Sequence, residues 1–318
     1  MKIVDPGGTG QVGRMLTRAF ARDGHEVVVL SRSNAAVDGA RVVSWDAKTI
    51  GSWSDELGGA DAVINLAGRS VNCRYSAANR REIMDSRVTS TRAVGRVLRE
   101  VTNPPRVWLQ ASTATIYAHR FEAANDEVSG LIGGTEPGAP NTWRFSIEVA
   151  KAWESAALDF LPLPRTRLVL LRSAMTMSPD TGGIFDTLLR LVRFGLGGKS
   201  GDGRQFISWI HETDFIRAIY WLIENESIEG AVNLSAPHPL PNADFMRALR
   251  DAWGIRIGLP ANQWMLEIGA MILRTETELI LKSRRVIPGR LLDSGFAFEF
   301  PEWPTAARKL CERARKEC

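Results

Sequence analysis

Cysteine is scarce in this chain of 318 residues. Its three thiols, Cys73, Cys311 and Cys318, lie too far apart for a disulfide framework, and none sits beside histidine at zinc-ligand spacing. Free thiols in a reducing compartment, and no metal site, are therefore expected. Long apolar runs are missing as well: no stretch approaches the roughly 18 residues of a membrane span, so no membrane partner is expected. The opening Met1-Lys2-Ile3-Val4 runs straight into a glycine-rich turn, leaving no room for the charged, apolar and cleavage regions of a secretory signal, and this points to the cytoplasm. A strong charge of one sign is also lacking. The net charge of +4 comes from 40 basic against 36 acidic residues, interspersed except between Arg308 and Lys316, so nucleic acid is not an expected partner. Repeats, heptads and low-complexity tracts are absent. What remains, 44% hydrophobic and 24% charged residues, is the composition of a globular protein with room for one large domain and a smaller lobe.

The apolar pattern alternates between two periods. Lys2 to Val4 predicts a short strand, and Val12, Leu16, Ala19 and Phe20 recur at helical spacing until Gly24. His25 to Leu30 is a continuous apolar run of the kind a parallel strand buried on both faces requires. Strands at Ala62 to Leu66, Arg106 to Gln110 and Arg167 to Leu171 then alternate with helices at Ser86 to Val101 and Phe145 to Leu158. This alternation predicts an α/β fold, a doubly wound parallel sheet, over residues 1–172. Beyond Arg172 the glycine-rich stretch holding Gly182-Gly183, Gly195, Gly197-Gly198, Gly201 and Gly203 reads as a lid or an excursion over a ligand site. A helix at Thr213 to Glu224 and a strand at Val232 to Leu234 return to the sheet, giving a return segment of about 205–235. Residues 173–204 and 236–318 then form a smaller, mainly helical C-terminal lobe with turns at Pro260, Pro288 and Pro301.

Gly7-Gly8-Thr9-Gly10-Gln11-Val12-Gly13 sets glycines three apart between the first strand and the first helix. Gly7 and Gly10 permit a tight turn and close approach of a pyrophosphate to the N–H groups that open the helix, while Gly13 lets helix and strand pack closely. A structural turn is the plainer alternative, and the βαβ setting favours a dinucleotide. The second strand ends Leu30-Ser31-Arg32, with no carboxylate for a free ribose 2′-hydroxyl. Arg32 can instead form charge-assisted hydrogen bonds to a 2′-phosphate, with the Ser31 hydroxyl beside it, which favours NADP(H) over NAD(H). A solvated surface arginine is the alternative.

With these motifs the chain resembles, over essentially its whole length, the extended short-chain dehydrogenase/reductases. The resemblance is to their atypical "epimerase family" branch, which has a C-terminal domain of unknown function. Its marks are Gly7 to Gly13, Ser31-Arg32, Trp45-Asp46, Asn65-Leu66-Ala67-Gly68, Ser86-Arg87, Gly197-Gly198, Gly203-Arg204-Gln205, Ser208-Trp209-Ile210-His211, Val286-Ile287-Pro288 and Gly295-Phe296. The resemblance implies a Rossmann fold and a cofactor path. Ser31 and Arg32 would stand at the 2′-phosphate, Leu66, Ala67 and Gly68 along the adenosine side, and Glu82, Arg87 and Thr176 would complete the cleft. Three residues depart from the family pattern: Asp5 at the strand end, Pro6 before the first glycine and Gln11 after the second.

Short-chain dehydrogenases transfer hydride at the nicotinamide, with a tyrosine as general acid, a lysine four residues on and a substrate-orienting serine. Ser112, after the strand Arg106 to Gln110, matches the serine, and Tyr117 lies close by as a substitute acid. A turn serine and an ordinary loop tyrosine are the alternatives. The Tyr-x-x-x-Lys pair is missing: aligned by Trp153-Glu154, the helix carries Ser146 at the tyrosine position and Ala150 at the lysine position. Lys151 stands one residue off, about 100° around the helix. Arg204, Gln205 and Trp209 are the substrate-side candidates, because hydrogen-bonding and aromatic side chains there suit a small-molecule pocket. His211 is read as structural beside a helix start, and Asp214 as its cap.

Two functions follow as expectations. One is an NADP(H)-dependent oxidoreductase or epimerase acting on a small molecule with non-standard catalytic residues. The other is a protein that binds or senses NADP(H) without turning it over. A homodimer is compatible with either.

Overall fold

The computed structural model describes residues 1–33, 35–136, 140–261 and 281–317. The helical reading of 262–280 and the thiol of Cys318 lie outside the described residues. The strands are β1 (Lys2–Pro6), β2 (Glu26–Ser31), β3 (Arg41–Ser44), β4 (Ala62–Asn65), β5 (Val107–Thr113), β6 (Arg167–Ser173), β7 (Met175–Met177), β8 (Phe206–Ile207), β9 (Trp209–His211), β10 (Gly230–Leu234) and β11 (Leu240–Pro241). The helices are α1 (Gln11–Arg22), α2 (Ala77–Glu100), α3 (Asn141–Leu158), α4 (Ile184–Arg193), α5 (Glu212–Glu224), α6 (Asn242–Trp253), α7 (Gly289–Asp293) and α8 (Trp303–Glu317).

Seven strands form one parallel sheet in the order β10-β6-β5-β4-β1-β2-β3. The runs that read as continuously apolar do so because both faces are covered. Ile3, Val27 and Val29 pack on one side with Leu16 and Phe20 of α1 and Phe215, Ile219 and Leu222 of α5. Their neighbours Val4, Val28 and Leu30 pack on the other with Val94 and Val97 of α2 and Ala157 of α3. Each such fully buried side chain contributes about 1.5–3 kcal/mol through loss of apolar surface from water. Strand order reverses at β1, with β2 on one side and β4 on the other. A crevice opens outside the carboxyl ends at such a reversal, and this is where ligands bind in sheets of this kind.

A third cluster joins α4, α6 and α8 through Phe185, Leu189, Phe245, Leu249, Trp303 and Leu310. The Trp303 ring stacks on Phe245 at 4.0 Å and its Nε1 donates to the Phe245 carbonyl.

Two readings are corrected and one strand was not foreseen. The glycine-rich stretch read as a lid or an excursion over a ligand site contains α4, packed through buried Phe185, Leu189 and Val192. The helix expected from Ser86 begins at Ala77, because the Ser76 hydroxyl accepts from the Asn79 N–H and caps it. β3, four partly exposed residues at the sheet edge, was not foreseen. Asp214 is not a cap: that place belongs to His211, whose Nδ1 accepts from the Thr213 N–H, while the buried Asp214 carboxylate accepts from the N–H groups of Glu299 and Phe300.

Candidate functional site

A cleft of about 800 Å³ lies outside the carboxyl ends of β1, β2 and β4, lined by Gly7, Gly10, Ser31, Arg32, Leu66, Ala67, Gly68, Glu82 and Ser86 among others. The glycine loop makes its floor. Gly7 has φ +89°, and a Cβ there would stand 2.6 Å from the Ala67 Cα, so only glycine lets the loop close against the end of β4. Gly13 packs against the backbone of Gly8, and Val12 beside it joins the sheet core. The turn at Ala67 is fixed from below: its N–H donates to the Asn65 Oδ1 (3.1 Å), and the Asn65 amide donates to Gln110 (2.8 Å).

The start of α1 has no side-chain cap and no acidic residue in its first turn. The buried Gln11 Nε2 lies against Gly183 and has no hydrogen-bond partner among the described residues. Free N–H groups at a helix start, an orphaned amide donor and a glycine cradle form a set of donors matched to a phosphate. One acid lies close. The Asp5 side chain is buried beneath Gly8 with Oδ1 unpartnered, and burial pushes its carboxyl up from 3.8 to about 8. At neutral pH it is therefore an uncharged acid and does not repel an anion in the loop.

At the β2 end of the cleft Arg32 is exposed beside Ser31, whose hydroxyl accepts from the Ser33 N–H. Lys48, which the sequence did not single out, lines the same end with Trp45 and Thr49. The Asp46 carboxylate is turned into its own loop, accepting from the N–H groups of Lys48 and Thr49 (2.8 Å each) and from the Thr49 hydroxyl. Ala47 takes φ +63° to close that turn and carry Lys48 round to the pocket. Across the cleft Glu82 pairs with Arg69 at 2.5 Å. Arg87 presses against Gly68, stacks on the Trp153 ring at 4.9 Å and donates to the Ile83 carbonyl. Burial brings its guanidinium down to about 10. Thr176 is half-buried on β7, paired to Ile210.

Ser112 and Tyr117 belong to a buried network. The Ser112 hydroxyl donates to Glu154 Oε1 (2.6 Å), and Arg172 grips both Glu154 oxygens at 2.8 Å. Arg172 also donates to the Tyr117 hydroxyl, which itself donates to Asn233 Oδ1 (2.9 Å). Tyr117 is buried and engaged on both sides, and burial pushes its phenol up. The substrate-side trio is dispersed. Trp209 is fully buried against Trp303 in the third cluster, Gln205 is buried and donates to the Ser200 carbonyl, and only Arg204 is exposed, over the Phe121 ring. An aromatic and amide composition serves a core as well as a pocket.

Comparison with known proteins adds independent findings. Residues 6–141 match the NAD dependent epimerase/dehydratase family, and residues 263–310 match a domain of unknown function, DUF1731. The epimerase family protein SDR39U1 of Bos taurus is 31% identical over 314 residues, 98% of this chain and 99% of its own. The epimerase family protein YfhF of Bacillus subtilis is 29% identical over 98% of both chains. The crystal structure of human SDR39U1 with NADPH superposes with a TM-score of 0.84 at 29% identity, covering 98% of this chain and 99% of that one.

Proposed function

This chain belongs to the epimerase family of extended short-chain dehydrogenase/reductases, and on that premise we propose that it binds NADP(H) in the cleft described above and acts as an oxidoreductase or epimerase on a small molecule. The observation that carries the reading is the pairing of Arg32 with Lys48 at the β2 end, where the Asp46 carboxylate is occupied by its own turn. Two cations and the Ser31 hydroxyl suit a 2′-phosphate, while the Asp46 carboxylate, which already accepts from Lys48 and Thr49, is turned into its own loop and not toward a free ribose hydroxyl. The human relative, solved with NADPH, supports the same choice. Gly7, Gly10, Gln11 and Gly13 would hold the pyrophosphate, with Leu66, Ala67, Gly68, Glu82 and Arg87 along the path and Thr176 at its far side. When bound, the nicotinamide supplies or accepts a hydride. A second reading, a protein that holds NADP(H) without turnover, is favoured by the engagement of Ser112 and Tyr117 in the buried network.

The 2′-phosphate contact is isolated by titrating adenosine 2′,5′-bisphosphate against adenosine 5′-monophosphate. The bisphosphate binds more tightly to the wild type. Arg32→Ala and Lys48→Ala each weaken it by about tenfold or more, the scale of a lost hydrogen bond to a charged group, while leaving the monophosphate unchanged. Equal loss for both nucleotides would assign the two cations to general attraction and undo the NADP(H) preference.

A further inference from the structure

The family's acid position is filled by Ser146, yet a tyrosine hydroxyl stands beside it. Tyr75, on the loop between β4 and α2, holds its hydroxyl 3.4 Å from the Ser146 Oγ. Its ring packs edge-on against Phe145 at 5.1 Å, with the Arg80 guanidinium over the same ring. The place is the carboxyl side of the sheet. α3 returns the chain from the end of β5 to the start of the parallel strand β6, so its first turns lie over the carboxyl edge. Glu154 of α3 reaches Ser112 at that edge, and Ser146, eight residues earlier, stands about 12 Å farther along the axis, above it. Arg87 links this place to the cofactor cleft. It presses on Gly68 in the cleft wall, makes no ion pair among the described residues, and has the Tyr75 phenol and the Cys73 thiol as its electrostatic neighbours.

We propose that Tyr75 is the proton donor of the hydride-transfer site, with Ser146 orienting its hydroxyl and Arg87 as the cation that sustains the phenolate. The inference rests on the NADP(H) reading above. In reduction, the substrate carbonyl carbon gains a hydride, two electrons and a proton, from NADPH. The π pair moves to oxygen, which takes the Tyr75 proton. The products are the alcohol, NADP⁺ and a phenolate that solvent reprotonates. A cation held in a desolvated setting lowers the cost of that phenolate, the task a lysine performs elsewhere in this fold. The other two tyrosines are placed apart from it. Tyr117 is locked in the buried network, and Tyr220 of α5 donates to Asp23. Burial pushes both phenols up.

With three tyrosines in the chain, ultraviolet titration of tyrosinate on the intact protein resolves each as a third of the signal. The expected result is a first step of one tyrosine, deleted by Tyr75→Phe and moved to higher pH by Arg87→Gln. Ser146→Ala, a milder change, moves the same step in the same direction. NADPH titrates Tyr75→Phe with wild-type affinity, while NADPH oxidation with a panel of small aldehydes and ketones falls at least a hundredfold. A first step that survives Tyr75→Phe, or unchanged oxidation in that variant, overturns the proposal. Where no carbonyl of the panel reacts, the phenol titration decides alone. Failure of the wild type to bind NADPH would instead strike the cofactor reading, so the two failures are told apart.

Discussion

Arg172→Ala lowers the free energy of unfolding by about 3–5 kcal/mol, the cost of leaving a buried carboxylate without its partner. Glu154 is buried and held by two Arg172 nitrogens at 2.8 Å, with Ser112 adding a third hydrogen bond. Removing the guanidinium also strips the Tyr117 hydroxyl of a donor and its ring of a stacked cation at 5.1 Å. This network ties α3 to the carboxyl ends of β5 and β6. Urea unfolding measures the loss, read as a lower midpoint at unchanged slope. Replacing both partners, as in Arg172→Met with Glu154→Leu, recovers most of the loss, since a pair of apolar groups leaves no buried charge. A single variant as stable as the wild type would show that the network does not weld these elements.

The second large effect is a pH dependence centred on Asp5. Its carboxyl titrates at 3.8 when unfolded and at about 8 in the folded chain, where burial disfavours the charge. Between those values the unfolded state binds fewer protons than the folded one, so stability falls as pH rises. The contribution is fully present below about pH 4 and is lost as pH climbs through 8. Asp5→Asn removes the ionisation. It is expected to match the wild type near pH 4 and to exceed it at pH 8 by an amount on the order of a few kcal/mol. The same charge bears on ligand binding. Asp5 Oδ2 lies against Gly8 in the loop below the start of α1, so its ionisation above pH 8 sets a negative charge beside the pyrophosphate position. Wild-type affinity for NADPH therefore drops above pH 8, and that of Asp5→Asn does not. Thermal melts at those two pH values and NADPH titrations on either side of pH 8 check both parts.

The portions of the molecule that were legible in the sequence are those specified by neighbours in the chain. The glycine triplet, its place between β1 and α1, and the apolar runs of β2, β5 and β6 are local signals that tertiary packing reinforces. β3 escaped because Arg41–Ser44 is short, lies at an edge and buries little. The first nine residues of α2 escaped because Ala77 to Asp85 bury Ile83 alone, so no apolar stripe marks them, although Ser76 offered a capping signal. Lys48 was hidden by a turn whose geometry depends on the left-handed Ala47, a residue type that gives no hint of it. Trp209 was read as pocket wall because its segment mixes hydrogen-bonding with aromatic side chains, and its burial in a third cluster with residues as far along the chain as Ala314 is set by contacts remote in sequence. Tyr75 and Ser146 are 71 residues apart, and only the docking of the β4–α2 loop on α3 brings them together.

The central claim, a cleft built for NADP(H), is tested most directly by calorimetric titration of the wild-type protein with NADPH and NADH side by side at neutral pH. The account predicts NADPH binding at least tenfold tighter, the contribution of one or more charge-assisted contacts to the 2′-phosphate. Equal affinity for the two nucleotides, or no binding of either, would contradict it.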